Sequence, residues 1–414
     1  MNHVSEIRKK NLLDIIRIIH HSDKITKAEI VAKTDLTLVT VNKLVNSLLK
    51  KNIVFECGAA QSSGGRKASQ FSFNHTIYYM IGLNIEIGAY TIVISDLNHV
   101  EIKRAYQIIQ EGKQVEDTID KIISSVQFAL KETHLSEKSV AAIGITVPGP
   151  VDIVSGTIRL LPNWRDWHDV HIARFFKAKF GFPVFVEKDT YSAIRYLRNI
   201  GEIAPNRSAV YINIGGGIGA SILISDKVYR GFNDVAGEIG HISVEADGPK
   251  CNCGNFGCLE VFSSDQSIVR QVKKYIKSGV RSSVIEMIDG EIENLTIQHI
   301  IDAALQSDEL SHSVLLKAAR YLGIGISNII KTYDPADIII DCSWIRQIDS
   351  LFSEVIEISN LRTTIFQKGK IRIRRLSLDD IFLNGALSLV LDYLFKDEID
   401  SVLIKRRTIA EPVE

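Results

Sequence analysis

The spacing of apolar residues changes character once along the chain. Between residues 4 and 20, Val4, Ile7, Leu12, Ile15, Ile16 and Ile19 recur at near-helical intervals, which predicts an amphipathic helix with one stripe turned to a core. Thr26 followed three residues later by Glu29 has the form of a capping box and opens a second helix running to Lys33. After the break Thr34-Asp35-Leu36, Thr37 caps a third helix ending near Lys50, with Val41, Leu44, Val45 and Leu48 as its stripe. Ile53 to Cys57 reads as a short strand, and Phe71 and Phe73, alternating with Gln70 and Ser72, as a returning one. Between them lies a polar, glycine-rich tip, Gln61-Ser62-Ser63-Gly64-Gly65-Arg66-Lys67.

Three helices and a β-hairpin within residues 1–75 form the pattern of a winged helix-turn-helix. From Ile81 onward the texture becomes α/β. Strand-like runs at 92–94, 142–147, 184–186, 209–214 and 338–340 alternate with amphipathic helical stretches. Two β-rich starts, near 80 and near 209, each have a glycine-bearing turn close by, which suggests two lobes of related topology with a cleft between them. The expected division is a head over 1–75, a first lobe over 76–195, a second over 196–400 and a loosely held tail over 401–414.

Composition adds little, with 45% hydrophobic and 24% charged residues, as in ordinary globular proteins. Charge adds more. The whole chain is neutral, yet residues 1–70 hold 12 Lys and Arg against 6 Asp and Glu, so the head carries +6 and the remainder −6. A basic head on an acidic body points to a polyanion as the head's partner. Glu6, Arg8, Lys9, Lys10, Asp14 and Arg17 interrupt the first apolar stretch, and no run of 18 apolar residues occurs, so neither a signal peptide nor a membrane span is expected. A cytoplasmic protein without a membrane partner follows.

A recognition helix reads base edges with the residues near its N-terminus, here Thr37, Leu38, Thr40, Asn42 and Lys43. Thr and Asn can bond base edges, Leu38 can meet a thymine methyl, and Lys43 suits a phosphate. Arg66 and Lys67 on the Gly64-Gly65 tip suit a minor groove. A helical bundle for protein contacts would share the helices, but capping, turn, stripe and basic wing together favour double-stranded DNA.

Three of the five cysteines, Cys251, Cys253 and Cys258, fall within eight residues, with His241 shortly before them. Three thiolates and an imidazole close a tetrahedral structural Zn2+ site in a reducing compartment. Cys57 and Cys342 read as ordinary thiols.

Gly237-Glu238-Ile239-Gly240-His241, followed by Cys251-Asn252-Cys253-Gly254-Asn255-Phe256-Gly257-Cys258-Leu259-Glu260, resembles the signature of the ROK family of repressors, open reading frames and kinases. The order of the winged helix, Val147-Pro148-Gly149, Leu161-Pro162-Asn163-Trp164, Glu187-Lys188-Asp189 and the Gly215–Gly219 turn matches as well, over nearly the whole chain. The head resembles the repressor branch, that of xylose-operon and N-acetylglucosamine repressors. The resemblance implies a two-lobed, actin-like (ribonuclease H-like) sugar-kinase fold with a monosaccharide or sugar derivative in the interlobe cleft, held by Asn163, Asp189, Glu238, His241 and Glu260. Trp164 is the local candidate for stacking on the sugar face. It also implies a homo-dimer or tetramer. One position departs: the family's Asn-Asp pair is Lys188-Asp189 here, and lysine is a charged donor without acceptor capacity.

The family's first phosphate loop, Asp-x-Gly-Gly-Thr, corresponds to Asn84-Ile85-Glu86-Ile87-Gly88. The magnesium-linked carboxylate has become Asn84, and Glu86 puts negative charge where backbone N–H groups should cradle phosphate. The Ile338–Ile340 strand runs into Asp341-Cys342-Ser343 where the kinases have a Gly-Gly turn. Only Gly215-Gly216-Gly217-Ile218-Gly219 survives. The expectation is a sugar-responsive, non-enzymatic repressor of carbohydrate-utilisation genes. Its alternatives are a ROK sugar kinase carrying a DNA-binding head and a ligand-independent DNA-binding scaffold.

Overall fold

The computed structural model describes residues 3–59, 68–109, 114–161, 164 and 166–396. Its first helices follow the apolar spacing: α1 (His3–His20), α2 (Lys27–Ala32) and α3 (Leu38–Lys50). The capping box at α2 is closed in both directions. Thr26 Oγ1 accepts from the Glu29 N–H at 3.2 Å, and the Thr26 N–H donates to Glu29 Oε2 at 2.7 Å. Thr37 caps α3, its Oγ1 accepting from the Thr40 N–H at 3.3 Å. Three strands, β1 (Ile25–Thr26), β2 (Val54–Ala59) and β3 (Ser69–Phe73), form an antiparallel sheet in the order β1-β3-β2. The glycine-rich tip with Arg66 and Lys67 lies outside the described residues.

The helices and this sheet do not close a core of their own. Ile15, Ile16, Ile19, Val45, Phe71 and Phe73 belong to one apolar cluster with Met80, Val93 and Ala142 of the next sheet and with Leu383, Leu387 and Val390. That next sheet is built from β4 (Tyr79–Glu86), β5 (Ala89–Asp96), β6 (Glu101–Ile108), β7 (Val140–Val147) and a strand at 184–188, with α4 (Val115–Glu132) between β6 and β7. A small sheet, β8 (Val151–Asp152), β9 (Thr157–Leu160) and β10 (His168–Val170), and α5 (Ile172–Phe180) precede that last strand, β11 (Val184–Lys188). The five-stranded order is β11-β7-β4-β5-β6, with β4–β5 antiparallel and β4–β7 parallel. Alternate residues face opposite layers: Ile81, Leu83, Ile143 and Ile145 pack with α4 and α5 in a second apolar cluster.

Lys188 to Phe382 form the other compact unit. It runs α6 (Asp189–Asn199), β12 (Ala209–Ile214), β13 (Ile218–Ile224), β14 (Lys227–Val228), α7 (Glu260–Ser263), α8 (Asp265–Lys277), α9 (Val284–Met287), α10 (Ile297–Leu305), α11 (Glu309–Tyr333), β15 (Asp337–Cys342), α12 (Ser343–Gln347), α13 (Asp349–Leu361) and β16 (Arg372–Arg375). The sheet order is β14-β13-β12-β15-β16, with β12–β13 antiparallel and β12–β15 parallel. The two five-stranded sheets therefore share a hairpin followed by a parallel strand, as the two β-rich starts suggest. α11 is long and apolar enough to cross a membrane, but its Val314, Leu322, Ile326 and Ile330 lie in this unit's core.

The division differs from the expected boundaries in two ways. It falls between Glu187 and Lys188 rather than after 195, because Ala193, Ile194 and Leu197 of α6 pack with Ala209, Tyr211 and Ile339. The last helix, α14 (Ile381–Lys396), joins the first unit from Leu383 on rather than the second lobe. A Cβ on Gly144 of β7 would lie 1.9 Å from the Ala386 carbonyl oxygen, so α14 rests on that sheet at backbone distance. The expected tail at 401–414 is outside the described residues.

Candidate ligand and metal site

His241 ends a 3-10 turn over Ile239–His241, and the chain folds back through bridges between Ser243 and Cys258 and between Lys250 and Phe256. Gly257 has φ +63°, and a Cβ there would sit 1.6 Å from the Glu245 carbonyl oxygen, so this reversal requires glycine. The donor atoms of His241, Cys251, Cys253 and Cys258 all lie within 4.8 Å of one another. Cys251 Sγ is 3.7 Å from His241 Nδ1, and Cys253 Sγ is 3.7 Å from Cys258 Sγ. Metal–ligand lengths of about 2.3 Å to sulfur and 2.0 Å to nitrogen give tetrahedral edges of roughly 3.8 and 3.5 Å, so these donors fit a tetrahedral metal ion. Burial and the neighbouring thiols push the Cys258 thiol up to about 12, a penalty that a bound cation reverses. Among the described residues, no other group of three His, Cys or acidic side chains converges in this way.

The other ring nitrogen of His241 faces Glu238, with Nε2 4.0 Å from Oε2. The second oxygen of Glu238 accepts from Lys188 Nζ at 2.5 Å. Lys188 ends β11, is buried, and lies over the Tyr191 ring at 5.4 Å, while the Arg230 guanidinium approaches the same ring at 5.2 Å. Tyr191 donates its hydroxyl to the Ala236 carbonyl at 2.7 Å, which fixes the ring. Metal loop and candidate ligand residues thus form one sequence of contacts from Cys251 through His241 and Glu238 to Lys188. Asp189 opens α6, buried, its Oδ1 accepting from the Thr190 N–H at 2.5 Å. Glu260 opens α7 and accepts from the Ile218 N–H at 3.0 Å; a Cβ on Gly217 would come within 2.7 Å of the same oxygen. The surviving glycine-rich turn therefore holds a carboxylate of this chain.

In the first unit Trp164 is half-buried and packs against Trp167, ring centroids 5.0 Å apart; Asn163 lies outside the described residues. Sequence reading passed over Tyr191 and Arg230. Tyr191 stands three positions after Lys188, one turn on, and so carried a local signal. Arg230 sits in a loop with no motif around it.

The stretch corresponding to a phosphate loop is occupied by its own side chains. Asn84 Nδ2 donates to Glu86 Oε1 at 2.5 Å, and Asn84 Oδ1 accepts from Thr146 Oγ1 at 2.9 Å. The β4–β5 connection is a two-residue turn, Ile87-Gly88, with Gly88 at φ +82°. At the end of β15, Asp341 accepts from the Tyr211 hydroxyl at 2.8 Å and from Arg346 at 3.0 Å. An ion-paired carboxylate stands where a Gly-Gly turn would leave room.

On α3, Val41, Leu44, Val45 and Leu48 are buried while Thr37, Leu38 and Lys43 are exposed and Thr40 and Asn42 half-buried. The Thr37 and Thr40 hydroxyls are 3.0 Å apart, so part of their capacity is used locally. Val39, which sequence reading passed over, is 78% exposed. Lys27 Nζ donates to Asn46 Oδ1 at 3.1 Å and ties α2 to α3.

The sequence model of the ROK family matches residues 83–392. The xylose repressor of Bacillus spizizenii strain W23 is 30% identical over 353 residues, covering 84% of this chain and 87% of that one. In fold, the chain is similar to a crystal structure of a ROK family transcriptional regulator, a homologue of the E. coli MLC protein, with a TM-score of 0.80, 23% identity, and 98% of this chain and 100% of that one covered. A ROK family glucokinase from Streptomyces griseus, solved with glucose and AMPPNP, has a TM-score of 0.66 and 24% identity, and covers 75% of this chain and 98% of its own. The family match spans well over half the chain and runs through both compact units: the chain belongs to the ROK family.

Proposed function

We propose that this chain is a sugar-responsive transcriptional repressor, with residues 1–75 as a DNA-binding winged helix-turn-helix and the rest as a kinase-like sensor that transfers no phosphate. The observation that carries the reading is a contrast between two sites. Asp189, Glu238 and Glu260 keep acceptors for sugar hydroxyls, and His241, with Nδ1 turned to the metal loop, offers an Nε2–H donor. The Asn84–Gly88 stretch, by contrast, presents Glu86 bonded to Asn84 at 2.5 Å where a nucleotide phosphate would lie. Phosphoryl transfer is positioning and charge neutralisation, and a carboxylate at that place opposes both. Relatives named xylose repressor support the same conclusion.

Asp189, Glu238, His241 and Glu260, with Asn163 and Trp164 carried by the family pattern, are the proposed sugar residues. His241, Cys251, Cys253 and Cys258 are the proposed ligands of one structural Zn2+, which would hold the His241 ring in place for Glu238. The exposed start of α3, with Thr37, Leu38, Thr40, Asn42 and Lys43, is the proposed base-reading face, with Val39 added for its exposure and Arg66 and Lys67 for the wing. A homo-dimer would set two such faces in successive major grooves of a near-palindromic operator. Work in the cytoplasm would keep the thiolates reduced.

The test is a thermal-shift screen with neutral monosaccharides, sugar phosphates and ATP–Mg2+. A ligand specific for the folded state at about 100 times its Kd adds roughly 2.7 kcal/mol. A sugar shift without an ATP shift supports the repressor, and an ATP shift promotes the kinase instead. Duplex binding should weaken linearly with the logarithm of salt, and Lys43→Gln should reduce that slope by about one.

A further inference from the structure

We propose that the second compact unit carries a site for a small phosphorylated metabolite in the cavity between the metal-binding loop, α8 and α11, bordering Gly216 and the proposed sugar residue Glu260. The cavity has a volume of about 450 Å3, within the range of small-molecule sites. Four cations from three segments line it: Lys250 from the metal loop, Arg270 and Lys274 from α8, and Lys317 from α11. None of the four side chains makes a hydrogen bond or ion pair with another described residue.

The same helix shows what paired cations look like. Lys273 and Lys277 close on Glu293 at 2.9 and 3.3 Å. Arg270 and Lys274 also border the neighbouring cavity on that side, but no acid reaches them. The one carboxylate in the 450 Å3 cavity's lining is Glu260, and one of its oxygens is held by the Ile218 N–H. Four exposed positive charges border one cavity, and an anion entering it would be attracted by all four. Phosphate suits the donor set: Arg270 offers a planar fork for two oxygens, and the three ammonium groups add point charges around it. Phe262, stacked on Tyr321 with ring centroids 3.9 Å apart, supplies a rigid apolar wall for an organic body.

The lining includes Cys251 of the metal loop and Glu260, so an occupant would bear on both the metal loop and a proposed sugar residue. The anion site itself rests on the charge arrangement and not on the sugar reading.

Isothermal titration of the full-length, metal-loaded protein with pyrophosphate and with glycerol 3-phosphate tests the site, with sulfate as a control anion. One saturable site per chain is expected. Arg270→Gln and Lys274→Gln should each weaken it about tenfold, as for loss of a hydrogen bond to a charged group. Lys277→Gln should change it less than about twofold, because Lys277 pairs with Glu293 and does not line this cavity. Metal content measured on each variant separates loss of the anion site from collapse of the loop. Absence of saturable binding by either probe at millimolar concentration overturns the proposal. So does equal weakening by Lys277→Gln, which would mean a diffuse basic surface. Loss of probe binding in Asp189→Asn with Arg270→Gln unaffected overturns it too, since the anion would then occupy the sugar residues.

Discussion

The Lys188 ammonium lies 2.5 Å from one oxygen of Glu238, and the other oxygen of the same carboxylate faces His241 at 4.0 Å. A neutral sugar that calls on Glu238 must compete with a full positive charge. Lys188→Asn, which restores the family's Asn-Asp pair, should tighten neutral monosaccharide binding about tenfold by freeing an acceptor. Glu238→Gln should abolish that binding and leave Lys188 buried with a weaker partner. The stability cost of the second change is about 1 kcal/mol, modest because Glu238 is 44% exposed. Titration calorimetry with a sugar identified by thermal shift checks both, and equal affinity for wild type and Lys188→Asn would sink the competition argument.

Cys258→Ser should remove one metal equivalent per chain, measured by elemental analysis, and lower Tm by several degrees. The loss should be local. Pro249 to Gly257 reverses direction around the donors, whereas the apolar clusters of the first unit contain none of these residues. Chelation of the wild type should reproduce the effect, and full metal retention in the variant would count against the four-ligand set.

Acid should weaken the first unit before its carboxylates titrate. His20 is lowered from 6.5 to about 4 by burial, against the raising influence of its bond to the Leu97 carbonyl. A depressed histidine stabilises the folded state while neutral, so this contribution is complete above about pH 6.5 and drains as pH falls toward 4. The slope reaches about 1.4 kcal/mol per pH unit for one proton. His75 and His99 are lowered in the same direction, each chiefly by burial. Urea midpoints between about pH 7.5 and pH 5 should fall for the wild type and flatten in His20→Gln; parallel curves would exclude His20 as the source.

How much of this was legible in the sequence depended on the range of the interaction. The Thr26–Glu29 box spans one helical turn, and the two hydrogen bonds that close it follow from residue type and spacing. The metal cluster is legible for a similar reason, since few chemistries use three cysteines and a histidine so close together. The Lys188–Glu238 pair joins residues 50 apart in sequence, and nothing local to either names the other. Lys188 read as an anomaly whose partner only the fold supplies. The apolar stretch 381–396, which sequence reading passed over, carries no local sign of which sheet it covers. The clue was Gly144 inside a strand, the kind of position where another backbone approaches closely.

Gly144→Ala should therefore be among the most damaging single-methyl additions in the chain. The added carbon would meet the Ala386 carbonyl at 1.9 Å, and neither backbone can yield without moving α14 or β7. A loss of roughly 3 kcal/mol is expected from overpacking of this kind, read from urea unfolding. Gly181→Ala, at an open helix end with φ +74°, serves as the control for backbone strain alone. If both cost the same, the close approach of α14 is not the cause.

The return of α14 also has a consequence for biosynthesis. Ile15 and Phe73, made early, share an apolar cluster with Val390 and Phe395, made nearly four hundred residues into the chain. A nascent chain leaving the ribosome can form α1 to α3, but it lacks the helix that seals them until the intervening unit has been translated. Nonsense products that stop short of residue 383 would expose that apolar surface and become targets for proteolysis. Quality control of the head is in this way deferred to the end of translation, and a cell would accumulate few fragments that carry the head without the rest of the chain.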